Sequence, residues 1–139
     1  MASVNAERAP GASAAEDAVA RLGEMSADLR GCAILDGQGR ALAASDDLEP
    51  WASAGRALLA AADAAGGEPA THVHVATEEG EAFAVRHEGL AMVAVAERFT
   101  LASLMIFDMR AVLRDLRGGG VSAQGAEATR DGGDRAGGR

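Results

Sequence analysis

Residues Gly31 to Ser45 read GCAILDGQGRALAAS, and this stretch decides the fold class. A short apolar run, Cys32 to Leu35, meets a tight turn of Asp36, Gly37, Gln38 and Gly39, and a second short strand follows at Ala41 to Ala44. The chain then enters an Ala-rich segment opened by Asp46 and Asp47, residue types that favour a helix N-terminus. Strand, turn, strand, helix in this order predicts a small α+β domain.

Working outward, Ala18, Leu22, Met25 and Leu29 recur at helical spacing, which predicts a first helix over Ala15 to Leu29, ended near Gly31. The second helix should run from Leu48 to Ala65, with Pro50 tolerated in its first turn and Gly66-Gly67 stopping it. Three strands are expected at Thr71–Thr77, Glu81–His87 and Leu90–Ala96, separated by Glu78-Glu79-Gly80 and Glu88-Gly89. A three-residue loop at Glu78 to Gly80 would set Val75 opposite Phe83 and Val73 opposite Val85. The run LAMVAVA is apolar on both faces and belongs in the middle of a covered sheet. Thr100 can cap a last helix to Leu116, striped by Leu101, Met105, Met109, Val112 and Leu116. The order is αββαβββα. Residues 1–13 and 118–139 read as disordered tails around one domain at 14–117, because they hold too little apolar surface to offset ordering.

Composition narrows the function. The formal net charge of −8 argues against a nucleic-acid surface, which needs a clustered basic patch. All 13 basic residues are Arg, which with the abundant Ala and Gly reads as the bias of a GC-rich genome. A single Cys excludes an internal disulfide and fits a reducing compartment, so a cytoplasmic location without membrane insertion is expected. No leader pattern opens the chain.

That series of elements resembles the roadblock/LC7 family. The resemblance spans Ala15 to Arg117 and is carried by GCAILDGQGRALAAS, the Ala-rich helix after it, the three-strand meander, and LAMVAVAERFTLASL leading into a Met-containing helix. It implies a five-stranded antiparallel sheet with the second helix on one face and the two terminal helices on the other. Profilin-like, longin and sensor folds share much of this outline. It also implies a non-enzymatic homodimer that binds a small Ras-like GTPase, pairing through the second helix and the neighbouring edge strand. No cofactor is implied. The rival functions are a ligand-sensing module, which would need a cavity that this Ala-rich core does not predict, and a scaffold for a kinase or another signalling protein.

The second helix carries a hint independent of the resemblance. Trp51, Ala54, Leu58, Ala61 and Ala65 form one stripe and Ala52, Leu59 and Ala62 another, so the helix is apolar nearly all round. A sheet covers only one side of it. The expected dimer or partner surface is therefore Trp51, Ala54, Arg56, Leu58, Ala61 and Ala62, joined by His72 and His74 of the edge strand, with Arg56 the residue to test for a role in GTP hydrolysis. Against it stands the plain fact that Ala is a good helix former.

Other candidates read as structure. His72 and His74 share a strand face, but the register above sets His87 level with Thr71 on the opposite face, so no metal site is expected. The Asp36–Gly39 turn lacks the lysine and the following helix of a phosphate loop. Cys32 reads as a small core residue, Ser45 with Asp46 and Asp47 as capping, Met92, Met105 and Met109 as core filler, and Glu78, Glu79 and Glu81 as a solvated turn. No catalytic set emerges.

Overall fold

The computed structural model describes residues 10–118, so the expected tails fall outside the described residues apart from positions 10–13 and 118. Helix α1 (Ala12–Met25) is followed by β1 (Leu29–Leu35), β2 (Ala41–Ala44), α2 (Leu48–Gly66), β3 (His72–Ala76), β4 (Glu81–His87) and β5 (Leu90–Ala96). A last helix, α3, occupies 102–118. The strands form one antiparallel sheet in the order β2-β1-β5-β4-β3. The αββαβββα order and the α+β class stand as the sequence predicts. Strand β5, apolar on both faces, lies at the centre.

Two apolar layers sandwich the sheet. On one face Cys32, Ile34, Phe83, Val85, Met92 and Ala94 pack against Leu22 of α1 and Met105, Met109 and Leu113 of α3. On the other, Ala33, Leu35, Ala84, Ala91 and Val93 meet Ala52 and Leu59 of α2. Met92, Met105 and Met109 are core residues, as expected.

The first helix departs from its expected ends. It starts at Ala12, three residues early, and stops at Met25, where Ser26 N–H bonds the Leu22 carbonyl. Leu29, read as helical, instead opens β1 and pairs with Ala96. A ladder to the central strand outweighs one more helical turn. Likewise, Thr100 does not cap α3: its hydroxyl donates to the Glu97 carbonyl at 2.6 Å, and Leu101 stands exposed instead of joining the buried stripe.

The β3–β4 register corrects another expectation. The turn is a two-residue loop, Glu78-Glu79, closed by Thr77 N–H to the Gly80 carbonyl at 2.8 Å. His74 therefore stands opposite Phe83 and Val73 opposite Ala84, one residue from the expected pairing. The Thr77 hydroxyl favours the shorter loop, donating to the Gly80 carbonyl and accepting from the Glu79 and Gly80 N–H groups. A slip by one residue turns every side chain over. Val73 and Val75 thus face the α2 side, and His72 and His74 face the α3 side.

The other hairpins are as read. Asp36 accepts from Gln38 and Arg40 N–H groups at 2.8 and 3.0 Å, an Asx-type turn between β1 and β2. Glu88 and Gly89 (φ 48° and 83°) make the left-handed pair of a two-residue turn between β4 and β5.

Candidate interface at the β3 edge and the outer face of α2

Strand β3 closes the sheet on one side with no neighbour beyond it among the described residues. Arg86 N–H bonds the Thr71 carbonyl, and Thr77 N–H bonds Gly80, so the odd-numbered residues of β3 serve the ladder to β4. By the antiparallel alternation, the N–H and C=O groups of His72, His74 and Ala76 point away from the sheet. They form an open main-chain template.

Beside this edge, the α2 face of the sheet is uncovered. Helix α2 lies mainly above β2 and β1 and reaches β4 only at its far end, where Asp63 takes a bidentate pair from Arg86 at 2.8 and 2.9 Å. Arg86 also donates to the Ala70 carbonyl at 2.9 Å, and Ala70 N–H to Asp63, so this cluster fixes the chain just before β3. The Arg86 hydrogen bond, then that of the Ala70 N–H, draws the Asp63 carboxyl down to about 2. Val75 is 41% exposed, and Val73 and Ala82 are half-buried. Leu58 and Val73 pack at the margin of the same core layer, while Ala54, Ala57 and Ala61 form an exposed, small-residue outer surface on α2.

The other face of β3 is polar and pinned. The His74 ring stacks on Phe83 with centroids 4.7 Å apart, and its Nε2 meets Glu81 Oε1 at 2.7 Å. Glu81 is only 8% exposed, so it is not the solvated turn residue the sequence suggests. Its second oxygen accepts from Phe99 N–H at 2.7 Å, and the His74 contact, followed by that N–H, holds its carboxyl below the usual range.

No family model and no curated protein sequence matches the chain. Solved structures do. A roadblock/LC7 domain from Streptomyces avermitilis superposes with a TM-score of 0.64 at 16% identity, covering 73% of this chain and 93% of that one. The chain has the roadblock/LC7 fold. MglB from Myxococcus xanthus superposes at 0.60 with 12% identity over 80% of this chain and 90% of its own. LokiProfilin1, solved with rabbit actin, superposes at 0.57 with 12% identity over 78% and 97%, the profilin-like outline the sequence shares.

Within this roadblock/LC7 fold the eight expected interface residues do not form one side-chain surface. Ala54, Leu58, Ala61 and Ala62 lie together on the α2 flank that borders the open sheet margin. Trp51 turns inward: its ring covers Gly31, where a Cβ would come within 2.9 Å, and its Nε1 donates to Asp46 at 2.7 Å. Arg56 lies on the opposite flank, donating to the Gly39 carbonyl at 2.8 Å with Glu49 beside it, so its guanidinium is engaged. His72 and His74 contribute main-chain groups to the edge, but their rings lie on the α3 side, His72 within 3.4 Å of Arg110.

The premise behind the metal reading also changes. Alternation along β4 puts His87 on the face of Phe83 and Val85, the same face as His72 and His74. Among the described residues no group of three His, Cys, Asp or Glu is placed to hold a metal ion. Asp47 occupies the N-cap position of α2 without a side-chain bond, and Ser45 instead bridges the Cys32 main chain at 2.8 and 3.2 Å. Cys32 is fully buried, which pushes its thiol up to about 11. The sequence predicts no cavity between sheet and helices, and what lies beside α2 is an open groove at the surface. It has a volume of about 340 Å³ and lies between α2 and the two hairpin turns, lined by Gly37, Gln38, Arg56, Ala60, Asp63 and Arg86 among others. Sequence reasoning put Glu81 in a solvated turn and did not single out Phe99, since neither role shows a local pattern.

Proposed function

We propose that this domain is a non-enzymatic adaptor that forms a homodimer through β3 and the outer face of α2, binds a small Ras-like GTPase, and modulates its nucleotide state. The observation that carries this reading is the adjacency of an open strand edge to an uncovered apolar margin. His72, His74 and Ala76 offer main-chain groups directly beside Val73, Val75 and Leu58. An exposed edge strand is normally blunted, and this one carries no Pro, Lys or bulge. The Ala surface of α2 allows a second helix to approach closely. The likeness to MglB supports the same assignment at the level of the fold. Buried Cys32 and the absence of a phosphate-loop sequence support a binding role over catalysis.

Sedimentation at micromolar concentration tests the dimer, and the wild type should run as one. Leu58→Glu puts a charge into the seam and should weaken association about a hundredfold, an effect of the size of an interface hot spot. A monomeric wild type overturns the reading. Capture from native lysate, with nucleotide analysis of what is bound, tests the GTPase. A GTPase whose hydrolysis rate is the same with and without the domain would leave only a tether.

The groove beside α2 favours the ligand-sensing alternative. Its guanidinium groups are already engaged, Arg86 by Asp63 and Arg56 by Gly39. A metabolite that raises the melting temperature, and does so less in Arg56→Ala, would establish it.

A further inference from the structure

Phe99, with Glu88 one of the two non-glycine residues of the described chain in the left-handed backbone region, sits at φ 67° and is 83% exposed. A bulky side chain there is a steric outlier that needs support from its surroundings. The support is Glu81, buried, whose carboxylate takes the Phe99 N–H while its other oxygen meets His74 of the edge strand. The structure thus spends a buried carboxylate to hold an aromatic ring out in water. Phe99 also walls a hollow of about 380 Å³ with Ala76, Thr77, Glu78, Glu81 and Arg98 at the end of β3. Arg98 lies over the ring at 4.7 Å.

At the other end of β3 stands Arg110 of α3, whose one side-chain hydrogen bond among the described residues is to His72 Nδ1 at 3.4 Å. Glu78 and Arg98 make no ion pair among the described residues. A hollow walled by Phe99 and carrying Glu78 without an ion pair, and a guanidinium with a single long hydrogen bond, therefore sit at opposite ends of one unpaired strand.

We infer that Phe99 and the hollow beside it receive Arg110 of a second copy of this chain. The inference rests on the dimer reading and gives it a register. Antiparallel pairing of β3 with itself centred on His74 sets His72 opposite the second copy's Ala76, and it is the register that uses all three outward-facing residues. The same two-fold axis carries the Arg110 end of each copy to the Phe99 end of the other. The contact is then made twice, as an isologous interface requires. Arg110 meets Glu78 as an ion pair and, as a cation–π partner, the face of the Phe99 ring that Arg98 does not cover. Within one copy the strained ring carries Arg98 near it and is otherwise left in water.

Glycine separates strain from contact, because it is at ease at a φ of 67°. Phe99→Gly should weaken the dimer about tenfold or more in sedimentation. In the monomeric Leu58→Glu background the same change should hold or raise the melting temperature. Arg110→Glu and Glu78→Arg should each weaken the dimer, and the double variant should recover much of the loss. If the wild type dimerises while Phe99→Gly and Arg110→Glu dimerise equally well, this contact is overturned and the dimer reading stands. A lower melting temperature for Phe99→Gly in the monomeric background would mean the ring serves its own fold, which also overturns the contact. Loss without recovery in the double variant overturns the Arg110–Glu78 pairing. A wild type that stays monomeric overturns both readings.

Discussion

The His74 ring lies on Phe83 with planes 5° from parallel, and the same ring reaches Glu81 Oε1 at 2.7 Å. A single edge-strand side chain thus joins the buried core to a buried carboxylate. Because Nε2 must donate to that carboxylate, the contact also fixes how the ring is oriented. Glu81→Gln leaves one oxygen to serve two donors, His74 Nε2 and the Phe99 N–H, and points an NH₂ group at the other. The variant should lose several degrees of melting temperature and loosen the β5–α3 connection, seen as faster amide exchange at Phe99. Unchanged exchange there would mean the carboxylate does not hold the turn.

Two glycines should respond in opposite directions to the same substitution. A Cβ on Gly23 of α1 meets nothing within 4 Å, so Gly23→Ala should add about 0.5–1 kcal/mol through helix propensity alone. A Cβ on Gly55 of α2 would lie 2.8 Å from Leu35 Cδ1 and 3.3 Å from Val93 Cγ2, both side chains of the sheet beneath the helix. Gly55→Ala should therefore cost about 1–2 kcal/mol despite the same gain in propensity. Denaturant melts of both variants check the contrast, and a stabilised Gly55→Ala would show that the helix can lift.

Acid should weaken the fold through Asp63. Its carboxyl sits at about 2, lowered first by the Arg86 hydrogen bond and then by the Ala70 N–H. A folded value below the unfolded one means the ionised form favours folding. That contribution is complete above the ordinary carboxylate value near about 4 and is lost as pH falls through about 2. Asp63→Asn should melt several degrees below the wild type at about pH 7 and converge on it near about pH 2. A constant gap across that range would put the effect in packing instead.

Cys32 should be chemically silent in the folded chain. It is wholly buried, its thiol is pushed up to about 11, and its Sγ faces the Val19 carbonyl at 3.8 Å. A thiol reagent should label it only at the rate of global unfolding, and labelling should become fast in denaturant. Rapid labelling of the native protein would reveal local opening between α1 and β1.

Much of this protein is written in local pattern. The alternation and length of GCAILDGQGRALAAS set the first hairpin, and the glycines at 66–67 and 89 placed the breaks. The two-faced LAMVAVA run marked the central strand, since a segment apolar on both sides has no stable place at an edge. These signals depend on neighbours a few residues apart, so one sequence suffices to read them. What tertiary structure alone decided is which way things face. The Thr77 hydroxyl closed the β3–β4 turn one residue short of expectation, and that slip carried His72 and His74 to the α3 side and Val73 and Val75 to the α2 side. Pairing with β5 took Leu29 out of the first helix. Glu81, read as a solvated turn residue, became a buried clamp only because His74 and the Phe99 N–H converge on it from strands and turns far apart in the chain. Periodicity fixes elements because hydrophobic burial repeats with the backbone; register and buried polar contacts follow from hydrogen bonds between distant segments, whose energies no local pattern records.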